Sequence, residues 1–348
     1  MGFPSRIKTI SLLLFFLLAA MPAYAQSVSE YSTMNGIRYR GYINCGTDLT
    51  TNAFAETLDN GASWTGFDAD ICKALSLAVF GFPDRFRMVS VTAENRYDAL
   101  RRGQIDILLG GAPYLPSSDS LDKIIFAAPL FMHEQGFVGH FKENAKSMTD
   151  YKKSRVCVRK NTTVLDNLIF YNKLYRLGFR IFPVETFSQA REYLFLKHCD
   201  LYADYQEMLR SKELKNFPAN IDLVALPETI AIETAGAAVK DDDAKWFKIV
   251  RWVIRSLVLA ETKNVTRENA GLLENTQDPQ IQNLLGINPN LGARLGLAPR
   301  WGINIIKDVG NYGEIFERNL GKDSQFNFSR GVNMPISEGG FLWTPSFN

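Results

Sequence analysis

The stretch that most restricts the fold runs from Thr92 to Asp119, TAENRYDALRRGQIDILLGGAPYLPSSD. Tyr97 and Leu100 share a face with Ala93 one turn earlier. Gly103 follows Arg101 and Arg102 where a helix C-cap favours glycine, so the first half reads as a helix. Asp106-Ile107-Leu108-Leu109 is a short apolar run of the kind buried on both faces of a sheet. Gly110-Gly111-Ala112-Pro113 leaves that strand almost without side chains, which lets backbone approach a ligand. The plan recurs further on. Gln189 to Leu196 is helical, Lys197-His198-Cys199 turns, Asp200-Leu201-Tyr202-Ala203 is strand-like, and Asp204-Tyr205-Gln206 leaves it. A turn, an Asp, a buried strand and a polar exit, written twice, predict two similar lobes. Each presents the carboxyl end of a strand to a shared cleft.

Composition narrows the setting. Arg6 and Lys8 precede the apolar run Ile10 to Ala20, and Ala23-Tyr24-Ala25 has the small-x-small form of a cleavage site. Residues 1–25 therefore read as a secretory signal peptide cut after Ala25, too short in its apolar core to span a bilayer comfortably. Without Arg6 and Lys8, Lys plus Arg fall from 39 to 37 and balance 37 Asp plus Glu. Nothing in that balance favours nucleic acid or an anionic membrane as partner, and a monomer is the expected state. The rest of the 348 residues, 46% hydrophobic overall, is enough for two domains with real cores. All four cysteines, Cys45, Cys72, Cys157 and Cys199, lie in the mature chain, so disulfides are expected, with three pairings open. No Cys-x-x-Cys occurs and the three histidines are scattered, so no metal is expected. Absence of G-x-S-x-G, H-E-x-x-H, P-loop and G-x-G-x-x-G patterns leaves no catalytic motif and no cofactor.

Along the chain, Arg38 to Asn44 alternates like a strand, and Cys45-Gly46-Thr47 turns out of it. Ile71, Ala74, Leu75, Ala78 and Val79 mark an amphipathic helix that opens on Asp68 or Asp70 and ends at Gly81. Phe126 to Val138 and Leu223 to Val239 look like extended segments bracketing a second strand-helix-strand unit. That unit contains strands at Arg155 to Val158 and Phe179 to Val184. A chain that leaves one lobe, builds another and returns makes two crossings, which is a hinge. Asp241-Asp242-Asp243 starts the longest helix, and Trp301 to Val309 is a shorter one.

The candidates for binding are few. Asn161-Thr162-Thr163 lies at a strand-to-helix turn, where free N–H groups either receive a carboxylate or are simply N-capped. Arg159 and Lys160 precede it; neighbours on a strand alternate faces, so one of them faces the cleft if either does. Tyr114 either stacks on a ligand or plugs a core.

Several segments together resemble the substrate-binding proteins of general, polar-type L-amino-acid ABC transporters. They are W-T-G-F-D-A-D-I-C-K-A from Trp64, R-Y-D-A-L-R-R-G-Q-I-D-I-L from Arg96, E-Q-G-F from Glu134 and V-C-V from Val156. H-C-D-L-Y from His198, W-F-K-I-V-R-W from Trp246 and V-G-N-Y-G-E-I-F-E-R-N from Val309 complete the set. The resemblance runs from Arg40 nearly to the end. It implies an α/β chain of two Rossmann-like lobes joined by a two-strand hinge, the type II periplasmic binding protein fold. Residues 36–131 with 231–348 would form lobe 1, and 136–226 lobe 2. It further implies a periplasmic protein that closes on an amino acid or related small polar solute and docks to an inner-membrane ABC permease. Thr47, Tyr114, Ser118, Glu134, Thr162, Thr163, Asp204 and Tyr205 are then the expected ligand-binding positions. Disulfides within lobes, Cys45 with Cys72 and Cys157 with Cys199, are expected, because a bond across the cleft would lock the hinge.

The departures bear on the ligand. Ser118 stands where members of that family place an Arg on the ligand carboxylate, and Tyr205 where they place an Asp on its ammonium. Asp204 lies one residue earlier, on the other face of an extended segment. The loss at 118 removes the only obvious fixed positive charge on the first lobe's side. Two charged hydrogen bonds lost, at about 1.5–3 kcal/mol each, would weaken an ordinary zwitterion by orders of magnitude. An atypical ligand is expected. A dehydratase-like enzyme on the same fold, with Glu134, His133 or Asp204 as acid or base, and a signalling module without transport remain open at this stage.

Overall fold

A computed structural model describes Gly2 and residues 32–48, 54–58, 63–142, 145, 147–210, 214 and 222–348. Apart from Gly2, the expected signal peptide lies outside the described residues. Helix α1 (Thr33–Arg40) opens the first lobe, followed by β1 (Ile43–Thr47), β2 (Glu56–Thr57), β3 (Trp64–Thr65) and α2 (Phe67–Phe80). Strand β4 (Phe86–Ser90), α3 (Arg96–Arg101), β5 (Ile107–Leu108) and α4 (Pro116–Asp119) come next. The long β6 (Ile124–His140) carries the chain into the second lobe. There follow β7 (Arg155–Arg159), α5 (Thr163–Leu174), β8 (Arg180–Val184), α6 (Phe187–Phe195), β9 (Leu201–Tyr205), α7 (Gln206–Leu209) and β10 (Leu223–Ala225). Strand β11 (Ala231–Lys240) returns, and α8 (Ala244–Thr262) packs on the first lobe.

One departure from the sequence reading is local. Residues 38–44 are not one strand: the chain is helical to Arg40, and β1 starts at Ile43. Ser32 accepts a hydrogen bond from the Asn35 N–H at 3.3 Å, and Gly41, at φ +79°, closes the helix with a bond to the Ile37 carbonyl. Met34 and Ile37, one turn apart, are the buried face, while Tyr39 is 97% exposed. The alternation across Arg38, Tyr39 and Arg40 was the solvent side of a helix.

The strand order is β4-β1-β5-β11-β6-β9-β7-β8, with β10 added on β6. β1 is parallel to β4 and β5, and β7 is parallel to β8 and β9. Between these two parallel groups lie β6 and β11, antiparallel from Ala231 opposite Gln135 to Lys240 opposite Ile124. Two α/β lobes are thus joined through one two-strand crossing. Ile124 and Phe126 of β6 pack with α3 and β5, Ala127, Ala128, Leu130, Phe131 and Met132 belong to a core built from α2, α8 and the chain after residue 280, and Phe137 and Val138 belong to cores around β7 and β9. Trp246 of α8 is fully buried and donates its Nε1–H to the Asp106 carbonyl at 2.8 Å, pinning α8 to the turn before β5.

Cys45 on β1 is bonded to Cys72 on α2, with Cα atoms 6.4 Å apart. Cys157 on β7 is bonded to Cys199 before β9, at 5.8 Å. Both bridges tie neighbouring elements of a single lobe, as the hinge argument requires. Replacing Cys157 and Cys199 together by Ser should cost about 2–4 kcal/mol by releasing a long loop in the unfolded chain. Denaturant unfolding of variant and wild type measures this. Non-reducing peptide mapping that joined Cys45 or Cys72 to a later cysteine would exclude the pairing.

Candidate functional site

The carboxyl ends of β1, β5, β7 and β9 face one another across the crossing strands and enclose a cleft of about 200 Å³. The first lobe contributes Asp48, Phe54, Arg96 and the backbone at Gly110, Gly111 and Pro113. The second contributes Arg159, Asn161, Thr162, Thr163, Tyr205 and Glu207. His133 of β6 and Glu233 of β11 form the floor.

Local sequence explains each wall. Gly110 lies so close to Asp68 that a Cβ there would sit 2.2 Å from Asp68 Oδ2, and Gly111 takes φ +71°. Any other side chain at 110 would collide with the buried Asp68 carboxyl. Asn161 turns with φ +55°, a conformation Asn tolerates, and delivers the chain to α5. Thr162 is the N-cap, its Oγ1 accepting from the Leu165 N–H and donating to the Arg159 carbonyl at 2.8 Å. Thr162 and Thr163 line the cleft, so the first turn of α5 and the positive end of its dipole lie at the cleft wall.

Five of the eight expected positions do not line the cleft. Thr47 is fully buried and donates to Asp68 Oδ2 at 2.6 Å. Tyr114 stacks on Phe126, with centroids 4.6 Å apart and planes 8° from parallel. Ser118 donates to the Pro113 carbonyl and accepts from the Leu115 N–H at 3.2 Å, so it stitches the α4 turn instead of facing a ligand. Glu134 points to the opposite side of the crossing, among Gln206, Arg210 and Gly331, because His133 takes the cleft face of β6. Asp204 is 1% exposed and bound to Arg159 through Nε at 2.9 Å and Nη2 at 3.1 Å. It also accepts from the Tyr202 hydroxyl and from the Tyr205 N–H at 2.8 Å. Thr162, Thr163 and Tyr205 do line the cleft.

Of the basic pair, Arg159 lines the cleft and Lys160 points away to Glu185. The first lobe is not without positive charge. Arg96, at the start of α3, lines the cleft, donates one Nη1–H to the Gly111 carbonyl and keeps a buried Nε without a partner. Glu233 accepts from the Tyr205 hydroxyl at 2.6 Å and from Thr163 Oγ1. His133 Nδ1 lies 3.3 Å from Glu207 Oε1, not aligned for a hydrogen bond. Burial works against a charged His133 ring, yet the Glu207, Glu233 and Asp68 carboxylates outweigh it and raise its pKa above the ordinary value. Glu233 carried a readable signal: in Ala231–Ala235 the acid is buried and the neighbouring Ile232 is 42% exposed. Period two with an inverted polarity marks a lined cavity.

Two consequences are measurable. Arg159→Gln leaves Asp204 buried without its cation and should destabilise by about 3 kcal/mol, while Lys160→Gln, on the surface, should change less than about 1 kcal/mol. Equal effects in denaturant titration would contradict this geometry. Burial pushes the Asp68 carboxyl up to about 7, with the Thr47 hydrogen bond opposing. The unfolded chain releases this proton near the ordinary carboxylate value and the folded chain only near 7. The stability that this group contributes is therefore fullest in acid and falls as pH rises through that window, by about 1.4 kcal/mol per pH unit at most. Asp68→Asn should remove this fall, so its stability relative to wild type rises between pH 4.5 and 8. A pH-independent difference would refute the assignment.

Among the described residues no cluster of His, Cys, Asp and Glu is arranged to hold a metal ion, and no helix is long and apolar enough to cross a membrane. No protein-family model matches the chain. The chain is 34% identical over 331 residues to the general L-amino acid-binding periplasmic protein AapJ of Rhizobium johnstonii, covering 94% of this chain and 96% of that one. It is 30% identical to the glutamate/glutamine/aspartate/asparagine-binding protein BztA of Rhodobacter capsulatus, over 96% and 98% of the two chains. Among solved structures it resembles a periplasmic binding protein of an ABC transporter from Brucella ovis with glutathione bound. The TM-score is 0.81 and the identity 31%, over 91% of this chain and all of that one. An arginine-binding protein of T. maritima, at 22% identity and TM-score 0.51, shares the fold. These relatives are binding proteins, and they place the protein in the periplasm. The chain belongs to the periplasmic amino-acid-binding proteins of ABC transporters, the solute-binding components of amino-acid-family importers.

Proposed function

We propose that the cleft captures an amino acid or a small amino-acid-derived solute, with its anionic end held between Arg96 and the first turn of α5. The observation that carries this reading is the Arg96 guanidinium. It stands on the first-lobe wall with a buried, unpartnered Nε, in the same cleft as the N-terminal turn of α5 on the second-lobe wall. A guanidinium and a helix N-terminus are both natural partners of a carboxylate. Arg96 takes the holding role that Ser118 lacks, so the weak binding of ordinary zwitterions expected from Ser118 does not follow. The ligands for which the relatives are named or with which they are bound, from general L-amino acids to glutathione, all carry carboxylates and fit this end of the cleft. An enzyme is disfavoured because two of its three acid–base candidates, Glu134 and Asp204, lie off the cleft that His133 lines.

The same reading assigns residues 36–131 and 231–348 to lobe 1 and 136–226 to lobe 2, as the separate hydrophobic cores support. It includes cleavage after Ala25, a monomer that docks to an ABC permease, and no nucleic-acid partner. Arg96→Gln should weaken calorimetric binding of L-glutamate, L-glutamine or glutathione, whichever binds the wild type, by roughly 10- to 100-fold. An unchanged dissociation constant would remove Arg96 from the site.

A further inference from the structure

Polar groups also gather on the side of the crossing that faces away from the cleft. Strand β11 pairs one edge of β6 from Ile124 to Gln135, and β9 takes the other edge only from Gln135 onward. Among the described strands none takes that second edge before Gln135. Side chains from the C-terminal part of the chain close it instead. The Tyr312 hydroxyl donates to the Leu130 carbonyl at 2.9 Å. Two residues on, Asn333 accepts from the Met132 N–H through Oδ1 at 2.8 Å and donates through Nδ2 to the Met132 carbonyl at 2.9 Å. These are the two bonds that a paired antiparallel strand would make. Arg330 holds Asn333 in place, donating to its carbonyl through Nε at 3.2 Å and Nη2 at 2.7 Å. The same guanidinium grips Glu261 of α8 at 2.8 and 3.1 Å. The C-terminal segment is thereby anchored in the first lobe and clamped onto the crossing strand. His133 and Glu134 lie between the last residue that this clamp holds and the first that β9 holds.

Behind these two residues lies a second pocket, of about 120 Å³. Gln206 of α7 and Arg210 just after it form the second-lobe wall. Phe316, Ser329, Gly331 and Asn333 form the first-lobe wall, with Glu134 between the two. Gly331 takes φ +47° and comes so close that a Cβ there would sit 2.7 Å from Glu134 Oε1. We infer that Asn333 is a positioning residue for solute capture: it fixes the first-lobe end of a pivot at His133 and Glu134, and the pocket behind is the space into which the lobes open. This rests on the solute-binding reading and adds what governs closure of that cleft. A bend of the crossing strands that brings the front walls together draws the rear walls apart, and opening does the reverse. Asn333 lines no part of the cleft and acts through Met132, the neighbour of His133. Without its amide the unheld stretch of β6 edge lengthens, and more backbone has to be ordered each time the cleft closes.

Two substitutions move the balance in opposite directions. Asn333→Ala removes both bonds to Met132 and loosens the pivot. Ser329→Trp, at an exposed position on the rear wall, fills the pocket and opposes opening. Spin labels on Arg102→Cys in the first lobe and Lys173→Cys in the second read the distance between lobes in the mature full-length chain. Both sites are exposed, and all four native cysteines are held in disulfides. Without ligand, Asn333→Ala should broaden the distance distribution, and Ser329→Trp should shift it toward that of the liganded wild type. With L-glutamate, L-glutamine or glutathione, whichever binds the wild type, the calorimetric dissociation constant should rise roughly 3- to 30-fold in Asn333→Ala and fall in Ser329→Trp. Leu284→Ala, at a buried position of the first-lobe core, lowers stability with the Met132 bonds intact and should leave the distribution unchanged. Ser329→Trp carries the test if Asn333→Ala does not fold. Wild-type distributions in both variants, or equal broadening by Leu284→Ala, overturn the positioning role while leaving solute capture intact. If none of the three probes binds the wild type, the solute-binding reading fails, and the unliganded distributions still decide whether Asn333 fixes the pivot.

Discussion

The structure depends on one constraint: two antiparallel strands must belong to both lobes at once. β6 is seventeen residues long, and its two ends are buried in different cores. Its partner β11 holds it in register across ten paired positions and two irregularities, between Ala235 and Gly236 and between Ala237 and Ala238. Such bulges bend a strand without breaking its pairing, which suits a crossing that must flex. Because the parallel strands of each lobe run up to this crossing, their carboxyl ends converge on it. The cleft is a result of the topology, and the residues in it are the strand exits of both halves.

The crossing also explains why buried charge gathers there. A cleft that binds a charged solute has to hold polar groups out of bulk water before the solute arrives. In the second lobe the solution is a closed network: Asp204 receives Arg159, Tyr202 and the Tyr205 N–H, so the charge is paired and fully hydrogen-bonded. In the first lobe Asp68 has a hydroxyl but no cation bonded to it, and its proton is held to about pH 7. Pairing and protonation are two ways of keeping a carboxylate in a protein interior, and Asp204 uses the first and Asp68 the second.

Much of this was legible from residues alone, and the failures have a common cause. The repeated turn-Asp-strand-exit pattern predicts β5 and β9 and their loops, and the apolar spacing from Ile71 to Val79 predicts α2. The start of α5 at Thr163 follows from the capping residues. Buried strands and amphipathic helices are written in local periodicity, and the structure has them where it places them. The site residues were harder. Glu134 and His133 are adjacent on one strand, and only the register of β6 against β11 decides which faces the cleft. Ser118 occupies a position aligned with a binding residue elsewhere, but the Pro113 and Leu115 backbone had already claimed its hydroxyl. Arg96 starts the segment R-Y-D-A-L-R-R-G, whose spacing marks a helix and does not say where an arginine at its first position points. Side-chain direction at strand ends and helix starts is a tertiary property, and sequence spacing reports it poorly.

On the proposed reading, closure depends on a group that both walls hold. A ligand can shift the balance between open and closed states only through contacts that differ between them. Arg96 belongs to the first-lobe wall and the start of α5 to the second, so an anionic group held by both is completed only when the walls come together. Closure is then driven from that end, and a solute that engaged one wall alone would bind without bringing the lobes together.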